Sequence, residues 1–224
     1  MEFANYRSFD NYASRAKRAH IEAGGVWTQD LELEVKDASR SVNRGIGPPR
    51  QSAPLPMDKL IRVGSDTAVH CDHGPIDPVR AITIMCHFVV REIEAAFALA
   101  KHWKFDHEAK TITWHLPVSK TDPTAVGCFR SWGCICVPPK TSSLDCPWHT
   151  ACEYWSQLKE RFANQHGTLN DDLPLFPDQR GQVVTKAAMI DTIEILARAL
   201  GEDLVNDTGG KRFGGHTPRV TGAR

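Results

Sequence analysis

His216 and Arg219 stand three residues apart in the stretch Gly214-Gly215-His216-Thr217-Pro218-Arg219-Val220-Thr221-Gly222-Ala223-Arg224. At the start of a helix that spacing puts both side chains on one face, where they can converge on a single group. The two preceding glycines let the backbone approach closely or take positive φ. Lys211, Arg212, Arg219 and Arg224 face only Asp207 here, so the segment suits an anion, most simply a phosphate. The competing reading is a solvated basic helix end, since His-x-x-Arg is frequent by chance.

A second constellation is soft. Cys128, Cys134, Cys136, Cys146, His149 and Cys152 fall within one short stretch. Cys134 and Cys136 share a strand face at period two, and Cys146 and His149 share a helix face at i, i+3. A strand pair and a helix pair of such ligands make a closed structural zinc site, with Cys128 and Cys152 as core or spare ligands. The alternative is buried free thiols, which behave as small hydrophobes. Two further side chains could do chemistry. Arg91 lies three residues before Glu94 in a strongly apolar run, either as a surface ion pair or as an arginine fixed by a carboxylate in a core-walled site. Lys120 falls at a strand end beside a loop, where a flexible amine can reach a ligand. His70-Cys71-Asp72-His73 lacks partner ligands, and Gly209-Gly210-Lys211-Arg212 lacks the Ser/Thr and the preceding strand of a phosphate-binding loop.

These residues sit in a chain of 224 residues that is 41% hydrophobic, 24% charged and formally neutral. That length suits one or two domains with a proper core, and the charge balance excludes a histone-like mass binder of nucleic acid but not a local basic site. No apolar run approaches the ~18 residues of a membrane span, and the N-terminus is no signal peptide. The odd total of seven cysteines, without a secretory signal, reads as reduced thiols or metal ligands. The expected location is intracellular, with no clear targeting signal.

The elements that must position the site follow from pattern. Helices are expected near Phe9–Ala23 and Thr28–Asn43, broken at Gly24-Gly25. A proline-rich connector, Pro48 to Pro56, is the clearest domain boundary. Asp77-Pro78 starts a helix, aspartate as N-cap and proline at the first position, which Ile82, Met85, Val89, Ile93, Phe97 and Ala100 extend to about Lys101. Trp103–Asp106 and Thr111–Leu116 predict a hairpin, with another strand around Phe129–Cys136. Amphipathic helices are expected over Cys146–Phe162 and Lys186–Leu200, the second stopped by Gly201. The fold class is mainly α with a small antiparallel β-sheet (α+β).

Taken in order, Arg91-x-x-Glu94, the tryptophan-led hairpin, Ser119-Lys120-Thr121, a helix pair and Gly-Gly-His216-x-x-Arg219 resemble the tyrosine recombinase (phage-integrase) family. The likeness leans toward versions carried by eukaryotic mobile elements. It implies a remnant of a helical core-binding domain at 1–47, a linker at 48–56 and a catalytic domain of DNA breaking-rejoining fold at 57–224. It further implies recombination or integration of double-stranded DNA, a homo-oligomer on DNA when the full-length protein is active, nuclear residence if eukaryotic, and no cofactor for catalysis. Arg91 and Arg219 would clamp the non-bridging phosphate oxygens, Lys120 would protonate the leaving 5′ oxygen, and His216 would position or relay protons. The chain departs from the pattern at two points. Val89-Val90 replace the small residue expected before the first arginine. The family's nucleophilic tyrosine lies beyond the His-x-x-Arg, whereas the tyrosines here are Tyr6, Tyr12 and Tyr154. The chain is therefore expected to be a truncated recombinase, inactive alone. Its rivals are an inactive DNA-binding descendant and a zinc-stapled interaction module.

Overall fold

The computed structural model describes residues 8–46, 52–66, 69–117, 127–136, 143–207 and 209–224. The chain divides into Met1–Gln51 and Ser52–Arg224. In the first unit, α1 (Phe9–Glu22) and α2 (Gln29–Ile46) form a helical hairpin. Gly24 turns it at φ 83°, and Glu32 ties it by accepting from Lys17 at 2.7 Å and Trp27 Nε1 at 2.8 Å. No residue of α1 is buried.

The second unit holds the core. It contains α3 (Met57–Asp66), α4 (Pro78–His87), α5 (Glu92–Ala96), β1 (Trp103–Asp106), β2 (Thr111–Leu116), β3 (Cys128–Gly133), α6 (Pro147–Phe162), α7 (Lys186–Ala199) and α8 (Thr217–Gly222). The unit begins inside the proline-rich stretch. There Ala53 N–H donates to the Arg212 carbonyl at 2.6 Å, and Leu55 N–H donates to Thr221 Oγ1 at 2.9 Å. The helix α3 directly after it was not anticipated, because its ten residues carry only a short apolar stripe.

Helix α4 is the spine, buried at every position except Arg80 and His87. Asp77 caps it by accepting from Arg80 N–H at 3.0 Å, and Arg80 pairs with Asp77 and Glu153, joining α4 to α6. The three strands are antiparallel in the order β1-β2-β3, with Trp103 opposite Trp114 and Leu116 opposite Cys128. Alternating burial along β2 turns Ile112, Trp114 and Leu116 inward. Trp103, Trp114, Tyr154 and Phe176 make edge-to-face and tilted contacts, a geometry the ring quadrupoles favour. The arrangement is mainly helical with one small antiparallel sheet, as expected. Among the described residues no helix is long and apolar enough to cross a membrane.

Two expectations fail. The apolar run to Lys101 is not one helix: α4 ends at His87 and α5 begins at Glu92. Val90 N–H bonds the Met85 carbonyl at 3.0 Å and Val89 N–H bonds the Cys86 carbonyl at 3.1 Å, a Schellman closure whose left-handed position is usually glycine. Here Val89 occupies it at φ 54°. A β-branched residue there costs about 1–2 kcal/mol, so local sequence did not announce the break. The strand after the hairpin also ends early, at Gly133, leaving Cys134 and Cys136 beyond it.

Candidate functional site

The break between α4 and α5 changes what Arg91 is. It is the N-cap of α5 rather than a mid-helix residue, with extended backbone (φ −90°, ψ 161°). Glu94 Oε2 accepts from the Arg91 N–H at 2.9 Å, and Glu94 Oε1 stands 3.6 Å from Arg91 Nη1. The carboxylate thus fixes the arginine's backbone by a hydrogen bond and its head only by a looser ion pair. The Arg91 side chain is 16% exposed. The surface ion pair does not describe it: both partners are largely buried.

Helix α8 lies against this segment through glycine. Gly215 carbonyl accepts from Glu92 N–H at 3.3 Å, and a Cβ on Gly215 would overlap the Glu92 carboxylate. Seven residues further on, a Cβ on Gly222 would overlap the Cys86 carbonyl oxygen. The glycine before His216 therefore serves close approach, one of the two uses the sequence allowed. Thr217 Oγ1 accepts from Gly214 N–H at 3.0 Å, and Thr221 Oγ1 donates to the Thr217 carbonyl at 2.8 Å, so the short helix is tied at both ends. His216 is its exposed N-cap and makes no side-chain capping bond, and Arg219 is half-buried in its first turns. Contacts at Gly215 and Gly222 thus bring the residues bracketing Arg91 against the helix that carries Arg219.

The polar balance here is unusual. Among the described residues, Arg91 Nε, Arg91 Nη1 and Arg219 Nη1 are buried nitrogens with no hydrogen-bond partner. Unsatisfied buried donors cost about 1–3 kcal/mol each, more when charged. An anion carrying several acceptor oxygens would satisfy them. Glu92, 5% exposed, borders the same place, with Oε1 3.5 Å from Lys186 Nζ and Oε2 unpartnered. Lys120 lies outside the described residues.

Sequence reading missed Arg130, Glu92, Lys186 and Gly222. Arg130 pairs in register with Trp114, so it points inward from β3, and its guanidinium donates to the carbonyls of Phe88 and Val89. It thereby anchors the strained turn before Arg91. Its inward phase on the strand is the one signal that could have revealed it. Tyr12 belongs to the first unit and is exposed. Tyr154 is fully buried, and burial, aided by Asp77, holds its hydroxyl well above the usual phenol range.

The soft ligands do gather. Cys134 Sγ, Cys136 Sγ, Cys146 Sγ and a ring nitrogen of His149 all lie within 4.8 Å of one another. Burial alone would push the Cys146 thiol up, but the N–H groups of His149 and Ile135 aimed at its sulfur outweigh that and bring it to about 6. Cys128 and Cys152 instead pack half-buried against the core, and burial pushes the Cys152 thiol up to about 11. The His70–His73 stretch is a turn with His73 at φ 62°.

No protein-family model matches the chain, and no curated protein matches it. Among solved structures it is similar to the XerH site-specific recombinase bound to palindromic difH substrate in a post-cleavage complex. The TM-score is 0.52 at 16% identity, over 81% of this chain and 44% of that one. It is also similar to XerH bound to difH substrate in a pre-cleavage complex, with TM-score 0.50 at 14% identity, over 93% and 57% of the two chains. The chain thus spans about half the length of these recombinases. The fold is that of the tyrosine recombinase catalytic domain, as the order of motifs in the sequence implied.

Proposed function

We propose that Ser52–Arg224 binds duplex DNA as a tyrosine-recombinase-like unit and holds the scissile phosphate between Arg91 and Arg219. The observation that carries this reading is the set of buried, unpartnered guanidinium nitrogens on both arginines. A phosphodiester in transfer gathers negative charge on its non-bridging oxygens, and planar, permanently charged forks placed beforehand stabilise that charge. His216, exposed at the cap of α8, supplies a proton-bearing or accepting ring beside the phosphate. Lys120 takes the role of proton donor to the leaving 5′ oxygen. The fully buried Tyr154 favours a binding and positioning role for this chain over strand cleavage by its own tyrosines, and the inactive DNA-binding module is the second reading.

Fluorescence anisotropy with duplex DNA across a salt series tests the proposal. Binding should be weak and steeply salt-dependent, because neutralised phosphates release counterions. Since net charge is zero, Arg91→Ala with Arg219→Ala should abolish most of it and lower the salt slope by about one, as both arginines contact a single phosphate. Unchanged binding by the double variant would refute the clamp. On nicked suicide substrates no covalent protein–DNA adduct should form; a phosphotyrosine trapped at Tyr154 would contradict this reading of its burial.

A further inference from the structure

We infer that Cys134, Cys136, Cys146 and His149 bind one zinc ion that staples the end of the edge strand β3 to the start of α6. The inference does not depend on the phosphate clamp. Its ground is convergence: the donors come from the stretch after β3 and the first turn of α6, separated by ten positions. Cys136 Sγ stands 3.1 Å and Cys134 Sγ 3.9 Å from His149 Nδ1, and Cys146 Sγ stands 3.8 Å from Cys134 Sγ. A tetrahedral zinc with bonds of ~2.3 Å to sulfur and ~2.0 Å to nitrogen sets ligand atoms ~3.5–3.8 Å apart. The cluster needs shifts of only about 1 Å to close on such an ion.

The surroundings agree with a structural metal rather than with core thiols. Three of the four residues are half-buried and Cys146 is 1% exposed. Ile135 N–H points at Cys146 Sγ at 3.4 Å, the kind of outer bond that orients a thiolate ligand. Three sulfurs and one imidazole form a closed, soft set, which excludes magnesium or calcium and suits zinc in a non-catalytic role. Fold placement supplies the reason for a staple. Among the described residues β3 pairs only with β2 and exposes Phe129 and Trp132, so it forms an edge of the sheet. It also carries Arg130, which grips the carbonyls before Arg91. Holding both ends of the segment from Arg130 to Cys136 keeps that grip in place.

Metal analysis and cobalt substitution of the full chain, purified under reducing conditions, test the assignment without DNA. The protein should carry about one equivalent of zinc. Cobalt should replace it with an intense thiolate charge-transfer band and the visible bands of a tetrahedral site. Cys134→Ser and His149→Gln should each weaken metal binding at least tenfold, as loss of a ligand requires, while Cys152→Ser leaves it unchanged. Because loss of a ligand can itself prevent folding, the unaltered protein is also measured with and without chelator. Its Tm should fall on chelation and recover with zinc. Absence of any thiolate–cobalt band after reconstitution would overturn the site, as would the same band in Cys134→Ser. A Tm unmoved by complete zinc removal would overturn the stapling role.

Discussion

Arg91 is held firmly at its backbone and at its tip only by a loose ion pair to Glu94, 3.6 Å away. Glu94 fixes its N–H, the Ala95 N–H bonds its carbonyl at 3.0 Å, and Nε and Nη1 find no acceptor. Such a residue is built for a bidentate partner, so Arg91→Lys should recover little. A point charge on a flexible stem cannot replace the fork. DNA affinity in the anisotropy assay should fall roughly tenfold for the lysine variant, about 1.4 kcal/mol; affinity equal to the parent would show that charge alone suffices. Val89, two residues earlier, stores the strain of the turn. Val89→Gly should remove about 1–2 kcal/mol of left-handed penalty while losing a similar amount to chain entropy and lost burial. Urea unfolding should find it within about 0.5 kcal/mol of the parent. A loss above about 2 kcal/mol, ordinary for truncating a half-buried valine, would mean that the turn is not strained.

At the scale of elements, the pairing of α8 with the α4–α5 break depends on the absence of side chains. Gly222→Ala would drive a methyl into the Cys86 carbonyl, a backbone atom that cannot swing aside. It should cost about 2–3 kcal/mol, in the range of overpacking, and should weaken DNA binding by shifting Arg219. Gly215→Ala meets the end of a side chain instead, the Glu92 carboxylate, which can move. Its stability loss should be smaller, and urea midpoints of the two variants check the ordering. Reversal of that ordering would mean that α8 is not seated as described. The helix break illustrates why one element escaped the sequence. Periodic apolar residues run from Ile82 through Phe97, yet Ile93 and Phe97 are exposed, because the chain turns at a valine that carries no breaker signal.

For the molecule as a whole, acid sensitivity follows from two half-buried imidazoles. Burial holds His87 and His102 below the ordinary histidine value. His87 Nε2 stands 3.3 Å from the Leu144 carbonyl, which partly offsets burial. A histidine depressed in the folded state binds fewer protons than in the unfolded chain, so stability falls as pH drops below about 6.5 and levels off only beneath the folded value. Urea midpoints at pH 7.5 and 5.5 should show this loss, and His87→Asn should reduce it. An identical pH dependence in the variant would exclude His87 as a source. Comparing variant with parent separates this effect from acid release of zinc, which both would share.

What the sequence alone determined were features with short-range causes. The Asp77-Pro78 helix start, the alternation of Ile112, Trp114 and Leu116 and the stop at Gly201 all depend on neighbours within a few residues. The order of motifs also carried the fold, since the chain of elements it implied is the one the recombinase catalytic domain uses. Tertiary structure decided the rest. Val89 adopts a left-handed turn because Arg130, from a strand 41 positions away, holds its carbonyl. Gly222 is needed because another helix passes there. Arg91 becomes a cap with guanidinium nitrogens lacking hydrogen bonds because that turn, and no local preference, ends the helix before it. Each is a contact between residues far apart in the chain, and pattern along the chain has no access to such contacts.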